Sequence, residues 1–125
     1  MTKVEESYFF DTYALVEIVK GNSNYLAFKH CKIVLTIFNL AEFHYKVLRD
    51  FNKELADELL EEYEPFAVAI DSETIKESND LKLLHRTKNL SSADVIGYIT
   101  ARRYGLKFLT GDRYFQDMAG VEFVK

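Results

Sequence analysis

Residues 7–21 have the sequence SYFFDTYALVEIVKG, in which an apolar run, an acid and a helical pattern follow one another. The run 7–10 is short and apolar, as a buried strand is. After Asp11, apolar residues recur at helical spacing over 12–20, and Gly21 is a residue that commonly ends helices. The stretch therefore predicts a strand, an acid at its carboxyl end, and a helix.

The rest of the chain continues this alternation of strands and helices. Further strands are predicted at 32–37, 66–70, 107–110 and 121–124, and helices at 22–30, 38–51, 52–63, 71–88 and 93–104. Such an order predicts an α/β fold with a mainly parallel central sheet of about five strands. Helices would cover both faces, and the functional crevice would lie at the carboxyl ends of the strands.

The size and composition of the chain suit one folded domain over residues 1–125. With 48% hydrophobic residues, the chain can bury a core of its own. Cys31 is the single cysteine, so no internal disulfide can form, which indicates a reducing compartment. The N-terminal residues do not resemble a secretory signal, and no apolar run approaches the roughly twenty residues that span a bilayer. We expect a soluble, cytoplasmic protein without a membrane segment.

The net charge of -4 is unevenly distributed along the chain. Six acids and no base lie between Glu54 and Glu64, which is typical of a solvated helix face. Elsewhere 16 bases face 14 acids, so the remainder tolerates a polyanion such as RNA. The candidate phosphate contacts are Arg86, Lys88, Arg102, Arg103 and Arg113. Solvated surface charge is the favoured interpretation of the first four, whereas Arg113 is the best placed because it directly follows Asp112.

Four acids are placed where the predicted fold would bring them together. Asp11 and Asp112 follow predicted strands, Asp94 opens a helix, and Glu42 lies in the first turns of another helix. Each could instead cap a helix, and Ser91 with Asp94 matches a capping box. Clustered carboxylates repel one another unless cations neutralise them, and oxygen ligands suit Mg²⁺ or Mn²⁺. The four acids are therefore candidate metal ligands and catalytic residues.

Four local motifs carry a resemblance that spans essentially the whole chain. They are YFFDT at 8–12, NLAE at 39–42, SADVIGYITA at 92–101 and LTGDRYF at 109–115. In order and spacing they resemble the motifs of the PIN-domain family, especially its VapC-type toxins. Tyr13 is a departure, because many relatives have a small polar residue there.

The resemblance implies a three-layer α/β/α domain that hydrolyses RNA as a Mg²⁺- or Mn²⁺-dependent endoribonuclease. By motif match, Asp11, Glu42, Asp94 and Asp112 are implied as metal ligands and catalytic acids. Thr12 and Thr110, through their hydroxyls, and Arg113 are assigned to substrate binding. A VapC-type toxin also implies a small antitoxin partner and a homodimer.

Most of the eighteen aromatic residues are expected in the core, although their excess also suits a dimer face or a groove for a partner helix. Within 38–51, Phe38, Ala41, Tyr45 and Leu48 share one helix face. An alternative function is a catalytically inactive PIN-like domain that binds RNA or serves in assembly. A receiver-like or phosphatase-like protein fits less well, since Asp11-Thr12-Tyr13 lacks the second acid of a phosphatase and no suitably placed lysine follows Thr110.

Overall fold

The computed structural model describes residues 6–125, which form an α/β fold. Its strands and α-helices, in chain order, are β1 (Ser7–Phe10), α1 (Thr12–Lys20), β2 (Lys32–Val34), α2 (Ile37–Asp50), α3 (Lys53–Tyr63), α4 (Ser72–Leu84), α5 (Ser92–Arg103), β3 (Lys107–Thr110) and β4 (Val121–Phe123). Short 3₁₀ helices cover Ser23–Phe28, Glu64–Phe66, Arg86–Lys88 and Arg113–Phe115. The predicted alternation of strands and helices is confirmed.

Within residues 6–125, the sheet contains four parallel strands in the order β2-β1-β3-β4. The prediction of about five strands is wrong, because 66–70 makes only one parallel bridge, between Leu35 and Ala67. Pro65 and Phe66 belong to the 3₁₀ helix that follows α3. The first residue of the predicted strand is therefore part of a turn and does not pair along β2. The strand predicted at 32–37 is also shorter, since Thr36 already caps α2.

Local signals set most of the helix ends. α1 ends at Gly21, which has a φ of 77° that glycine adopts without strain. The predicted helix 71–88 ends at Leu84 and is followed by a 3₁₀ turn, and the segment 22–30 forms a 3₁₀ helix rather than an α-helix. Within residues 6–125, none of these helices has the length and apolar character needed to span a membrane.

Two apolar clusters pack on the two faces of the sheet. Neighbouring residues of a strand point to opposite faces, and both Phe9 and Phe10 are fully buried. Phe10 packs with Leu15 and Phe43 on one side, whereas Phe9 packs with Phe108 and other residues on the other side. The sheet is therefore covered on both faces, as the three-layer fold requires.

Helix α2 buries a different face from the one that we expected to reach the core. Leu40, Phe43 and Val47 are buried, whereas Tyr45 is 59% exposed and Leu48 is 40% exposed. The helix carries two apolar stripes at helical spacing, and periodicity alone does not choose between them. We call the second stripe, which comprises Phe38, Ala41, Tyr45 and Leu48, the α2 outer face.

Candidate metal and active site

The four acids converge at the carboxyl edge of the sheet. Asp11 follows β1 and Asp112 comes two residues after β3, the strand next to β1. Asp94 lies in the first turn of α5, and Glu42 lies in the second turn of α2, which packs against α5. Two neighbouring strands and two packed helices thus present one carboxylate each.

Thr110 joins the two acids that follow the strands. Its hydroxyl donates a hydrogen bond to Asp11 Oδ2 at 2.7 Å and accepts one from the Asp112 backbone N–H at 3.1 Å. The Asp112 carboxylate in turn accepts from the Tyr114 N–H at 3.0 Å. Asp11 is 2% exposed, and its other oxygen, Oδ1, is buried and has no hydrogen-bond partner among residues 6–125. Buried polar atoms are nearly always bonded, so this oxygen is a candidate to bind a ligand.

Ser91 joins the two acids on the helices. Its hydroxyl accepts from the Asp94 backbone N–H and donates to Glu42 Oε2, both at 3.1 Å. The Ser91 backbone N–H donates to Asp94 Oδ2 at 2.9 Å, which completes the predicted capping box. One serine therefore starts α5 and fixes two carboxylates.

Asn39 is a fully buried residue that links the elements around the site. Its side chain accepts from the Thr36 hydroxyl at 2.6 Å and donates to the Ala93 carbonyl at 3.5 Å. Its backbone carbonyl accepts from the Thr12 hydroxyl, also at 3.5 Å. These bonds connect α2 with the beginnings of α1 and α5. Gly97 permits the close approach, because a Cβ there would lie 3.2 Å from the Asn39 amide.

The carboxylates are close enough to act on one another electrostatically. The pKa of Asp11 is raised to about 7, mainly by burial and also by the charges of Asp94 and Glu42, whereas hydrogen bonds from the Thr110 hydroxyl and the Thr12 backbone lower it. Burial also raises the pKa of Asp94, with contributions from Glu42 and Asp112, although its bonds with Ser91 lower it. The site therefore favours either a proton or a cation.

The donor set fits a hard divalent cation that keeps part of its water shell. Among the side chains of residues 6–125, no three acids, histidines or cysteines form a group that could hold one ion together. Mg²⁺ is commonly bound by only one or two carboxylates, and waters and phosphate oxygens complete its shell. The unpartnered Asp11 Oδ1, beside three further carboxylates, matches that mode of binding and not a closed cage.

A family model described as PIN domain matches residues 8–121, which include all four acids. The chain belongs to the PIN domain family. This confirms the resemblance that the sequence motifs carry. No curated protein matches the sequence.

Solved structures share the fold of this PIN domain over nearly its whole length. VapC20 of Mycobacterium tuberculosis, described as a Sarcin-Ricin loop cleaving toxin, has a TM-score of 0.79 at 13% identity and covers 94% of this chain and 99% of its own. A toxin-antitoxin complex from Klebsiella pneumoniae gives 0.70 at 18%, covering 92% and 95%. VapBC2 of Rickettsia felis, bound to a promoter DNA fragment, gives 0.67 at 18%, covering 95% and 99%. At sequence identities this low, the similarity to these structures shows a shared fold and nothing further.

The three residues predicted to bind substrate, Thr12, Thr110 and Arg113, differ in their exposure to solvent. Thr12 and Thr110 are buried, so their hydroxyls bond protein atoms, whereas Arg113 is exposed beside Asp112. Sequence reasoning missed the roles of Ser91 and Asn39 in holding the acids. For Ser91 a signal existed in its capping box, but its bond to Glu42 spans 49 positions of sequence. Asn39 begins the NLAE motif at 39–42, but that motif does not indicate its hydrogen bonds with Thr12 and Ala93.

Proposed function

We propose that residues 1–125 form a single nuclease domain, a Mg²⁺- or Mn²⁺-dependent endoribonuclease that acts as the toxin of a VapBC-type toxin-antitoxin pair. The observation that carries the proposal is the buried, unpartnered Oδ1 of Asp11 within a group of four carboxylates. An ordinary structural aspartate has its oxygens bonded or solvated. We place the enzyme in the cytoplasm, where its RNA substrate would be.

Asp11, Glu42, Asp94 and Asp112 would hold the cation, directly or through water. A divalent cation held there would supply the charge that polarises the scissile phosphate and activates a water molecule. Asp11, whose pKa is raised to about 7, can hold a proton near neutral pH, and an adjacent positive charge would favour its ionised carboxylate.

The chain's own residues orient the acids. The Thr110 hydroxyl turns Asp11 so that Oδ2 is bonded and Oδ1 is left for a ligand. Ser91 holds Glu42 and Asp94 on the other side. The Thr12 hydroxyl donates a hydrogen bond to the backbone carbonyl of Asn39. Thr12 therefore contributes to the position of α2. Pre-arranged donors of this kind cost no reorganisation during the reaction.

Attack by water, and not by the ribose 2′-hydroxyl, would leave a 5′-phosphate and a free 3′-hydroxyl. We propose single-stranded RNA as the substrate, since its flexible backbone enters a shallow crevice more easily than a duplex does. The VapC20 structure is described as that of a Sarcin-Ricin loop cleaving toxin, which supports a ribonuclease reaction.

Calorimetric titration of Mn²⁺ tests the metal site. The Asp94→Asn variant should lose or sharply weaken the binding that the wild type shows. Glu54→Gln is the matched control, because it also removes one acid, from the exposed first turn of α3. Equal Mn²⁺ affinity in the wild type and Asp94→Asn would refute the site.

Cleavage of a labelled single-stranded RNA tests the reaction. Fragments should carry 5′-phosphates, cleavage should stop in EDTA, and Asp94→Asn should be inactive. Products with 2′,3′-cyclic phosphates, or cleavage that persists in excess EDTA, would contradict the mechanism. RNA binding without any cleavage by the wild type would instead support the inactive PIN-like module.

We also propose a homodimer that uses the α2 outer face, where Phe38, Tyr45 and Leu48 are all exposed. Exposed large apolar groups in one stripe are typical of interaction surfaces. Light scattering should give a mass near twice 14.6 kDa, and Tyr45→Glu should lower it towards the monomer. A strict monomer at high wild-type concentration would be inconsistent with this proposal.

The proposed antitoxin partner is supported by solved relatives that are toxin-antitoxin complexes. A separate groove of about 700 Å³ beside edge strand β2 could accommodate an apolar segment, since Ile18, Phe28 and Phe66 line it. Co-purification with the product of a neighbouring short gene would test this, and Phe28→Glu should weaken the complex. A complex that Phe28→Glu leaves unchanged would exclude this groove.

A further inference from the structure

The cations of the chain differ in whether an acid neutralises them. Most of the charged groups on α2, α3 and α4 form ion pairs, such as Lys46 with Glu42 at 3.7 Å and Arg103 with Glu77 at 3.3 Å. Within residues 6–125, Lys125, whose Nζ donates to the Gly111 carbonyl at 3.3 Å, and four further cations near the acidic site have no carboxylate oxygen within 4 Å. These four further cations, called the cationic strip, are Lys82, Arg86, Lys88 and Arg113.

Contacts place the cationic strip directly beside the acids. Lys82 Nζ donates to the Ser92 hydroxyl at 3.1 Å, and Ser92 is the first residue of α5, next to Ser91. Lys88 Nζ lies 5.7 Å from the centre of the Tyr114 ring, and the Tyr114 N–H binds the Asp112 carboxylate. The strip therefore begins at the Asp94 and Asp112 side of the site.

The middle of the strip borders a shallow cavity. Arg86 lines it together with Lys82, Asn79 and Asn89, and its volume is about 310 Å³. Arg86, Lys88 and Arg113 are exposed, so their charges are available to a ligand. Lysine, arginine and amide side chains around an open cavity, with an aromatic ring beside them, are typical of surfaces that bind single-stranded nucleic acid.

The opposite flank has the opposite charge. Helix α3 packs against α2 and carries most of the acidic block 54–64, which would repel a polyanion. Arg102 and Arg103 lie at the far end of α5, roughly 17 Å from its first turn at 1.5 Å per residue. Arg103 is also paired with Glu77. Of the five bases that the sequence suggested as phosphate contacts, only Arg86, Lys88 and Arg113 flank the site.

We propose that the cationic strip binds the phosphodiester backbone of the RNA strand as it leaves the acidic site. The strand then runs over the connection between α4 and α5, not over the α2–α3 hairpin. This inference rests on the proposed function, because it extends the same site to its substrate. Lys82 and Lys88 are held by Ser92 and Tyr114, so part of the strip is already positioned before RNA binds.

A binding assay in EDTA separates the strip from catalysis, since the RNA stays intact. The probe is a fluorescein-labelled, single-stranded oligouridylate, and anisotropy is followed over a potassium chloride series. The test variant is Arg86→Gln/Lys88→Gln. The matched control is Lys29→Gln/Lys32→Gln, which removes the same charge from exposed residues at the opposite end of the sheet.

The strip variant should bind the oligouridylate about 25-fold more weakly at 0.1 M salt, because two phosphate contacts are lost. The slope of log K against log salt should become shallower by about 1.4, at 0.7 for each contact with a single strand. The Lys29/Lys32 control should change far less. The charge-preserving variant Arg86→Lys/Lys88→Arg should retain the affinity, and thermal melting establishes that each variant folds.

Three outcomes would refute the proposal that the cationic strip binds RNA. Equal losses in both glutamine variants would show that only total charge matters, and an unchanged affinity in Arg86→Gln/Lys88→Gln would show that the strand lies elsewhere. A wild type that does not bind the oligouridylate would also refute the strip. The cleavage assay with Mn²⁺ is a separate measurement. It distinguishes an active nuclease whose cationic strip does not bind RNA from an inactive protein whose cationic strip does.

Discussion

Replacing Asp11 by asparagine should change how the stability of the metal-free protein depends on pH. The pKa of Asp11 is about 7 in the folded chain and 3.8 in an unperturbed carboxyl. Between these values the unfolded chain loses the proton while the folded chain retains it. The free energy of unfolding therefore falls as pH rises from about 4 to 7 and then stays level.

The size of the effect follows from the two pKa values. Between pH 5 and pH 8 the ionisation of Asp11 should lower the free energy of unfolding by roughly 2–3 kcal/mol. For a domain of this length, 1 kcal/mol corresponds to roughly 4 °C in melting temperature, so the wild type should lose about 10 °C. Asp11→Asn cannot ionise and should lack this component.

The assay is thermal melting in EDTA at pH 5 to 8, followed by circular dichroism. The difference between the wild type and Asp11→Asn isolates Asp11, because all other side chains are the same in both proteins. Its pH dependence is the decisive quantity, since the amide nitrogen at the Oδ1 position has no partner and costs about 1–3 kcal/mol at every pH. Asp80→Asn, on the exposed side of α4, serves as the control.

Two results would refute the reasoning. One is that the melting temperatures of the wild type and Asp11→Asn depend on pH in the same way. The other is that Mg²⁺ does not raise the wild-type melting temperature more at pH 8 than at pH 5.

Three further substitutions test the packing and the support of the site. Gly111→Ala should lower stability by roughly 1–3 kcal/mol in thermal melting, because the added methyl group would overlap the Tyr13 ring, and an unchanged melting temperature would contradict this contact. Thr110→Val removes the hydrogen bond to Asp11, so Mn²⁺ titrations should show weaker binding with its pH midpoint moved upwards, while Thr110→Ser should behave as the wild type does. Phe108→Ala should lose about 3–5 kcal/mol in urea unfolding, because this ring is fully buried, and a loss below about 1 kcal/mol would show that the core is packed differently.

The sequence predicts those parts of the fold that depend on local signals. The apolar run of β1, the acid after it and the glycine after α1 are all close together in sequence, and each is found where it was expected. The capping box of Ser91 likewise identifies the start of α5 to within a residue. Asp11, Asp94 and Asp112 lie at such boundaries, and the sequence therefore predicts that these three acids share one edge of the sheet.

The parts that sequence could not predict depend on competition between distant segments. The apolar run 66–70 has the composition of a strand, but the turn at Pro65 brings it to the sheet for one bridge only. The two stripes of α2 have equal periodicity, and only the rest of the core selects Phe43 over Tyr45. The bonds of Ser91 to Glu42 and of Asn39 to Ala93 join residues about fifty positions apart. Such pairings leave no local trace.

The hydrogen bond between Thr110 and Asp11 spans 99 positions, and β1 pairs with β3 over a similar separation. On a ribosome that adds about 5–20 residues per second, the first strand waits roughly 5 to 20 seconds for its central neighbour to be synthesised. During that interval Asp112 does not yet exist, and the four acids cannot meet. The proposed nuclease site is therefore incomplete while most of the chain is being translated, and the proposed activity would be absent from the growing polypeptide during that time.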